Sequence, residues 1–397
     1  MQKFEQRTIF DFLDQEKQNN RNYKIINDSM LNLDQHIEKE SIDAIITDPP
    51  YELNFMNKSW DNTGIAFKKE TWVKCFNALK PGGYLLAFGG SRTYHRICCA
   101  IEDAGFEIRD CIMWLYGSGF PKSMNIGLAI DKKNGVESKV IGKSKGAGST
   151  GKNSVGNETF VYKNQYEDGS YDLKQAQNEW AGWGTCLKPA FEPIIVARKP
   201  FKGSLVDNVL EYGVGGLNID ECRVGDEVIS IHNAPKGTFA GGQYGRGSDT
   251  SSYRDSQGRF PANIILDNTF TEEWSRYFYC AKASKKDRDE GLDEFENTIV
   301  NDGRNKPIDN PFQRGETPKK NIHPTVKPTS LMQYLIRLVT PKGGTILDPF
   351  MGSGSTGKAV MYENKERDAN YNFIGFELNE EYCKIAEARI EYVIKNK

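Results

Sequence analysis

The sequence predicts an α/β protein built on a doubly wound, mostly parallel sheet, with a less regular segment inserted into it. Two observations lead there. Short β-branched or apolar runs alternate with helix-period segments over residues 23–115, and the same alternation returns over 329–395. Between them, residues 200–320 are irregular, Gly-rich and aromatic.

The elements follow in order. Tyr23–Asn27 (YKIIN) and Ile42–Thr47 (IDAIIT) are β-branched runs that end in polar or turn residues. Helical spacing over 68–80 stops at Pro81-Gly82-Gly83. Tyr84–Phe88 reads as a strand, 92–104 as a helix and 106–115 as a strand. After Gly117 the alternation breaks, and GKSKGAGSTGKNSVGNET (142–159) has no hydrophobic period, as expected of a mobile surface loop. Pro193–Ala197 reads as one more strand, antiparallel to its partner. A helix over 329–339, a strand Thr345–Leu347, a helix over 355–363, a strand Asn372–Phe376 and a helix over 379–395 complete the chain. The expected organisation is a catalytic domain split into 1–199, with a loop at 131–165, and 321–397, around an insert at 200–320.

Composition narrows the class. Hydrophobic residues make up 38% and charged residues 27%, an ordinary soluble mixture. No apolar run approaches the roughly 20 residues that span a bilayer. The start, MQKFEQRTIFDFLDQEKQ, is too polar and acidic for a signal or transit peptide, so a cytoplasmic location is expected. Eight scattered cysteines without a Cys-x-x-Cys pair, and only four histidines, speak against structural zinc, and no metal is expected. The net charge of −2 gives no global signal for nucleic acid. Residues 131–165, with seven basic and three acidic side chains, and 304–327, with six and two, are the basic stretches.

One motif suits a cofactor. Asp348-Pro349-Phe350-Met351-Gly352-Ser353-Gly354-Ser355-Thr356-Gly357 follows a strand and opens a helix. Its glycines allow a tight turn and a close backbone approach, and the helix N-terminus presents unpaired N–H groups. Glu377, twenty residues after Gly357 at the next strand end, is placed to accept hydrogen bonds from ribose hydroxyls. Read literally, Gly352–Gly357 fits the dinucleotide fingerprint of a nicotinamide-dependent oxidoreductase. Against that, only 20 residues follow Glu377, too few for the further strands of a dinucleotide fold. The sheet must be completed by the earlier half of the chain, and this topology points to an adenosyl cofactor.

A second motif suits chemistry. Strand IDAIIT runs into Asp48-Pro49-Pro50-Tyr51. The two prolines forbid helix and give a rigid, extended exit from the sheet edge. Asp48 offers carboxylate acceptors, Pro49 a carbonyl outside any ladder and Tyr51 a flat face. Two acceptors gripping the hydrogens of an aromatic amine draw its nitrogen toward tetrahedral geometry and aim its lone pair outward, so that transfer of a methyl group needs mainly positioning and electrostatics.

These residues resemble the amino-methylating DNA methyltransferases, specifically the circularly permuted β-type with a Rossmann-like fold. The order matches: Asp48–Tyr51 first, the irregular insert next, the glycine loop last. His323-Pro324-Thr325-Val326-Lys327-Pro328, Leu79-Lys80-Pro81-Gly82-Gly83 and Asp28 fit the same pattern. The stretches 114–126, 183–200 and 279–288 look like a phage and prophage-associated subgroup. The resemblance implies adenine-N6 methylation of a flipped base in double-stranded DNA, with S-adenosylmethionine as donor, in a restriction-modification setting. It implies catalysis by Asp48, Pro49, Pro50 and Tyr51. It implies cofactor contacts from Asp28, His323, Thr325, Lys327, Asp348, Pro349, Phe350, Gly352, Ser353, Gly354 and Glu377. Site recognition would reside in 200–320, and a homodimer is allowed.

Blander roles stand beside these. Asp28 can cap a helix at 30–39, His323 can be a structural hydrogen-bonder, Lys327 can snorkel from the surface, and Trp114 and Phe120 can be core residues rather than walls of a base pocket. Cytosine-N4 methylation uses the same fold, although that family more often opens its tetrapeptide with Ser. Protein-glutamine and RNA methyltransferases usually carry the glycine loop before the tetrapeptide. A non-catalytic DNA-binding module is disfavoured by the complete set of expected residues, and no Pro-Asp…Glu-x-Lys nuclease site is evident.

Overall fold

The computed structural model describes residues 21–53, 59–117, 123–145, 170–233, 252–281, 286–300 and 317–396. Nine strands form its main sheet: β1 (Tyr23–Ile26), β2 (Ile42–Thr47), β3 (Leu79–Phe88), β4 (Glu107–Leu115), β5 (Phe191–Arg198), β6 (Ile264–Asp267), β7 (Tyr279–Ala281), β8 (Thr345–Asp348) and β9 (Asn372–Phe376). Their spatial order is β1-β9-β8-β2-β3-β5-β4-β6-β7. The strands from the end of the chain thus lie between β1 and β2, and the two halves of the sequence complete one sheet. Strand β5 runs antiparallel to β3 and β4, as its sequence suggested, and the other pairings are parallel.

Helices α1 (Lys69–Ala78), α2 (Tyr94–Asp103), α3 (Ile126–Asn134), α4 (Leu205–Tyr212), α5 (Thr329–Val339), α6 (Ser355–Arg367) and α7 (Glu380–Lys395) accompany the sheet. Strand β2 is buried along its whole length and feeds two cores. Ala44 and Ile46 face a cluster with Leu331, Leu335 and Ile336 of α5, Val360 of α6 and Ile390 of α7. Ile45 faces the opposite cluster, with Trp72 and Cys75 of α1 and Ile97 and Ile101 of α2. A register shift between Ile42 and Ala44 turns Ile42 toward Ile45's side, breaking the strict alternation. Each Ile, Leu or Val side chain among these that is fully removed from water contributes about 1.5–3 kcal/mol, and this double burial defines the doubly wound architecture.

Three expectations need correction. Leu79–Gly83 does not separate helix from strand: β3 begins at Leu79, and the Gly82 N–H donates to the Lys199 carbonyl at 3.0 Å. The described parts of 200–320, read from the sequence as irregular, contribute to the sheet. Strands β6 and β7 extend it beyond β4, and α4 is anchored on it because Asn208 Nδ2 donates to the Pro81 and Val214 carbonyls. Short strands without a clean period hide such pairings from the sequence. Residues 142–145, expected in a loop, belong to a strand, Lys139–Lys145, paired antiparallel with Ser170–Gln175, and α3 precedes it, capped by Asn125 and closed by Gly135 at φ +69°. The rest of that expected loop, 146–159, lies outside the described residues, as does Phe120. No described helix is long and apolar enough to cross a membrane.

Candidate active site

Strands β2 and β8 are neighbours, with Ala44 opposite Ile346 and Ile45 opposite Leu347. Parallel neighbours end at the same edge, so both motifs emerge side by side. Asp348 joins them: its carboxylate accepts from Thr47 Oγ1 at 2.7 Å, Thr356 Oγ1 at 2.5 Å and the Phe350 N–H at 3.1 Å. Burial pushes this carboxyl up to about 6. Asp348, expected at the cofactor, therefore spends its side chain clamping β8 to β2 and to the first turn of α6.

An open cleft of about 2030 Å³ runs along this edge, reached by Asp28 from β1, Asp48–Tyr51 from β2, Trp114 from β4, Glu192 from β5, Pro349–Ser353 from β8 and Glu377 from β9. Small-ligand sites are roughly 300–1,000 Å³, so the cleft has room for two ligands.

The tetrapeptide is fixed at its C-terminal end. Thr93 Oγ1 donates to the Tyr51 carbonyl at 2.8 Å, and the buried Asp61 carboxylate accepts from the Glu52 and Leu53 N–H groups at 2.8 and 3.1 Å. The Tyr51 hydroxyl lies 2.8 Å from Asp48 Oδ1 and 2.9 Å from Glu192 Oε2. Burial, then the charges of Asp48 and Glu192, hold this phenol well above its ordinary range and so keep it protonated. Lys327 Nζ completes the group, 2.5 Å from Asp48 Oδ2, 3.2 Å from the Tyr51 hydroxyl and 3.3 Å from Glu192 Oε2. Only 8% of the Lys327 side chain is exposed, so it does not snorkel, and it lines the cleft with its ammonium on the tetrapeptide. It is a buried counter-charge for the tetrapeptide.

The glycine turn is held from two sides. Above it, Glu377 Oε2 accepts from the Gly352 N–H at 2.9 Å and Oε1 from the Asn379 N–H at 2.8 Å, while burial raises the carboxyl above its usual range. Below it, Arg389 is completely buried and donates to the Ser353 carbonyl, to Ser353 Oγ at 3.0 Å and to the Asp287 carbonyl at 2.5 Å. Ser353 Oγ, which also accepts from Asn321 Nδ2 at 3.3 Å, is thus engaged beneath the turn. Gly354, expected to approach the cofactor, is absent from the cleft wall. A Cβ there would stand 2.7 Å from Ala386 Cβ on α7, and its φ is +77°. It packs the turn against α7 in a left-handed conformation that favours glycine.

Asp28 reaches the cleft, but its carboxylate is also gripped locally by the Ser29 N–H at 2.6 Å, Asn32 Nδ2 at 2.9 Å and His36 Nε2 at 2.8 Å, and the His36 contact chiefly lowers its pKa. The helix cap here is Ser29, whose Oγ accepts from the Leu31 N–H. His323 bonds the Thr325 carbonyl through Nδ1, and burial pushes the imidazole down to about 4. The ring is therefore neutral, with its proton on Nδ1, because a carbonyl can only accept. It lies edge-on to Tyr382 at 4.7 Å, and it shares the cleft wall with Thr325, Pro349 and Phe350. Trp114 also lines the cleft, with its indole N–H buried and without a partner among the described residues.

Glu192 and Arg389 escaped the sequence reading. Arg389 had a visible signal, a cation in the buried helical stripe Ile385, Ala386, Ile390, Val393. Glu192 had none, since a carboxylate before an apolar strand reads as solvated. Among the described residues no group of three or more His, Cys, Asp and Glu side chains could hold a metal ion, and the eight cysteines are free.

Residues 42–388 match the family model described as DNA methylase. Type II methyltransferase M.HindIII of Haemophilus influenzae is 22% identical over 398 residues, covering 89% of this chain and 90% of that protein. Type II methyltransferase M.HpaI of Haemophilus parainfluenzae is 21% identical over 363 residues, 90% of this chain and 70% of that protein. DNA adenine methyltransferase YhdJ of Escherichia coli is 36% identical over 69 residues, 17% of this chain and 21% of that protein.

Proposed function

Because this chain belongs to the DNA methylase family, we propose that it is a site-specific DNA methyltransferase acting on the N6 amine of a flipped adenine. The methyl donor is S-adenosylmethionine. One observation carries the reading: Asp48–Tyr51 and the Gly352 turn with Glu377 open side by side into a single cleft large enough for a nucleoside donor and a nucleotide.

The residues present fit the donor. Carboxylates stand at two strand ends, Glu377 for the ribose hydroxyls and Asp28 for a purine amine, and Met30, Leu31 and Phe350 supply apolar walls for a ring. S-adenosylmethionine, consumed as the second substrate, supplies an electrophilic sulfonium methyl. Asp48 and the Pro49 carbonyl accept from the two N–H groups of the target amine and turn its lone pair toward that methyl. The Tyr51 ring stacks on the base and contributes about 1–3 kcal/mol, offsetting part of the unstacking that flipping requires. Lys327, bound to Asp48 and Glu192, keeps both carboxylates in place with their charge balanced.

Adenine is favoured over cytosine because the tetrapeptide opens with Asp. The resemblance adds a permuted domain order, recognition by parts of 200–320 and a phage-like, restriction-modification context in the cytoplasm. The test is nucleoside analysis of duplex DNA incubated with the protein and isotopically labelled S-adenosylmethionine. Label in N6-methyladenine supports the reading, label in N4-methylcytosine replaces adenine by cytosine, and unlabelled DNA sinks it.

A further inference from the structure

The amine that gains a methyl group must lose a proton, and Asp48, which opens to the cleft with 22% of its side chain exposed, does so toward the space that the proposed amine itself fills. The geometry points to Glu192 as the exit for this proton, reached from Asp48 through the Tyr51 hydroxyl; this rests on the proposed amine methylation. Three features converge. The Tyr51 hydroxyl bridges two carboxylates, 2.8 Å from Asp48 Oδ1 and 2.9 Å from Glu192 Oε2, both within hydrogen-bond reach. The phenol retains its own proton, held by burial and by the two charges beside it. Glu192 lines the open cleft with 22% of its side chain exposed, as much as Asp48 but without an amine in contact with it in the proposed pose, whereas Lys327, which touches all three groups, is 8% exposed.

The step balances as follows. The amine nitrogen bonds the methyl carbon while the carbon–sulfur bond breaks and its electron pair stays on sulfur. The nitrogen, now positively charged, loses an N–H proton to Asp48 and keeps that bonding pair. Tyr51 takes this proton from Asp48 as it passes its own to Glu192, and Glu192 releases it to water in the cleft. One proton leaves per methyl transferred. Lys327 donates to Asp48, Tyr51 and Glu192 and thereby holds the three groups together between turnovers.

Single-turnover transfer in H₂O and D₂O mixtures tests this with Glu192→Gln, Glu192→Ala and Tyr51→Phe. Glu192→Gln and Tyr51→Phe should each lower the transfer rate about tenfold or more, within the range of acid–base contributions. Their proton inventory should change from a several-proton curve to a straight line. Added formate should restore Glu192→Ala, whose vacated space admits a small carboxylate, and should leave Tyr51→Phe slow. In Glu192→Gln, calorimetric affinity for S-adenosylmethionine and flipping of a 2-aminopurine target should remain at wild-type levels. A Glu192→Gln protein with the wild-type rate and inventory overturns the relay, and so does one that is slow only because flipping or donor binding is lost. Wild-type protein that methylates no DNA strikes the proposed function itself, whereas an active wild type indifferent to Glu192 strikes the relay alone.

Discussion

Lys327 and Asp48 lie 279 residues apart in the chain, and the Lys327 ammonium stands 2.5 Å from Asp48 Oδ2. This contact closes the C-terminal part of the chain over the tetrapeptide of the N-terminal part. Burial works to lower the lysine's pKa, yet the charges of Asp48 and Glu192 outweigh it and hold the ammonium above its ordinary range. The pair is buried, so its parts are not independently removable.

Lys327→Met should therefore both destabilise and inactivate. Breaking a buried pair from one side typically costs about 3–5 kcal/mol, because it leaves uncompensated charge behind. A drop in thermal midpoint together with a loss of transfer is expected, with Lys327→Arg intermediate in both. A Lys327→Met protein as stable and as active as wild type would show that the ammonium sits there idly.

Gly354→Ala should act through packing. The new Cβ would press on Ala386 at 2.7 Å and sit at φ +77°, so a loss of about 1–3 kcal/mol is expected. Ala386→Gly in the same chain should recover the steric part and leave the backbone part. Chemical denaturation reads both. If the second substitution restores nothing, the contact between α7 and the turn is not the cause.

Asp348 makes stability depend on pH in a fixed direction. Its folded value of about 6 lies above the roughly 3.9 of an exposed aspartate, so the folded state holds a proton that the unfolded chain has released in between. Its favourable contribution is present below about pH 4 and lost as pH rises to about 6, a change on the order of 3 kcal/mol. Asp348→Asn removes this titration. The stability of the variant relative to wild type should improve steadily from pH 4 to pH 6 and level off above. A constant difference across that range would contradict it.

Lys68 and Arg92 are exposed at the cleft mouth. If the mouth receives a DNA backbone, replacing either with Ala should weaken DNA binding and flatten the plot of log affinity against log salt by about 0.9 for each phosphate no longer neutralised. Affinity for S-adenosylmethionine should stay constant. Unchanged salt slopes in both variants would move the phosphate-binding role to other surfaces.

What was legible in the sequence was mostly backbone. Proline, glycine and β-branched residues restrict local conformation, so β1, β2, the antiparallel β5, the glycine turn and the closing helices could be read at their positions. The placement of Asp48 and Glu377 at strand ends followed from the same punctuation. Side-chain partners were not legible, because they depend on which strands become neighbours. The bonds from Thr47 and Thr356 to Asp348 could not be foreseen from its place in the glycine motif. The approach of α7 to Gly354 could not be foreseen either. Strands β6 and β7 were missed because four and three residues are too few to establish a period.

The central claim is that Asp48 grips the target amine and not the methyl donor. The most direct test measures two quantities on Asp48→Ala: single-turnover transfer to duplex DNA, and calorimetric affinity for S-adenosylmethionine. Transfer should vanish while donor affinity stays within a few-fold of wild type, because Glu377 and the Gly352 turn are untouched. Near-normal transfer, or donor affinity lost in step with activity, would contradict the account.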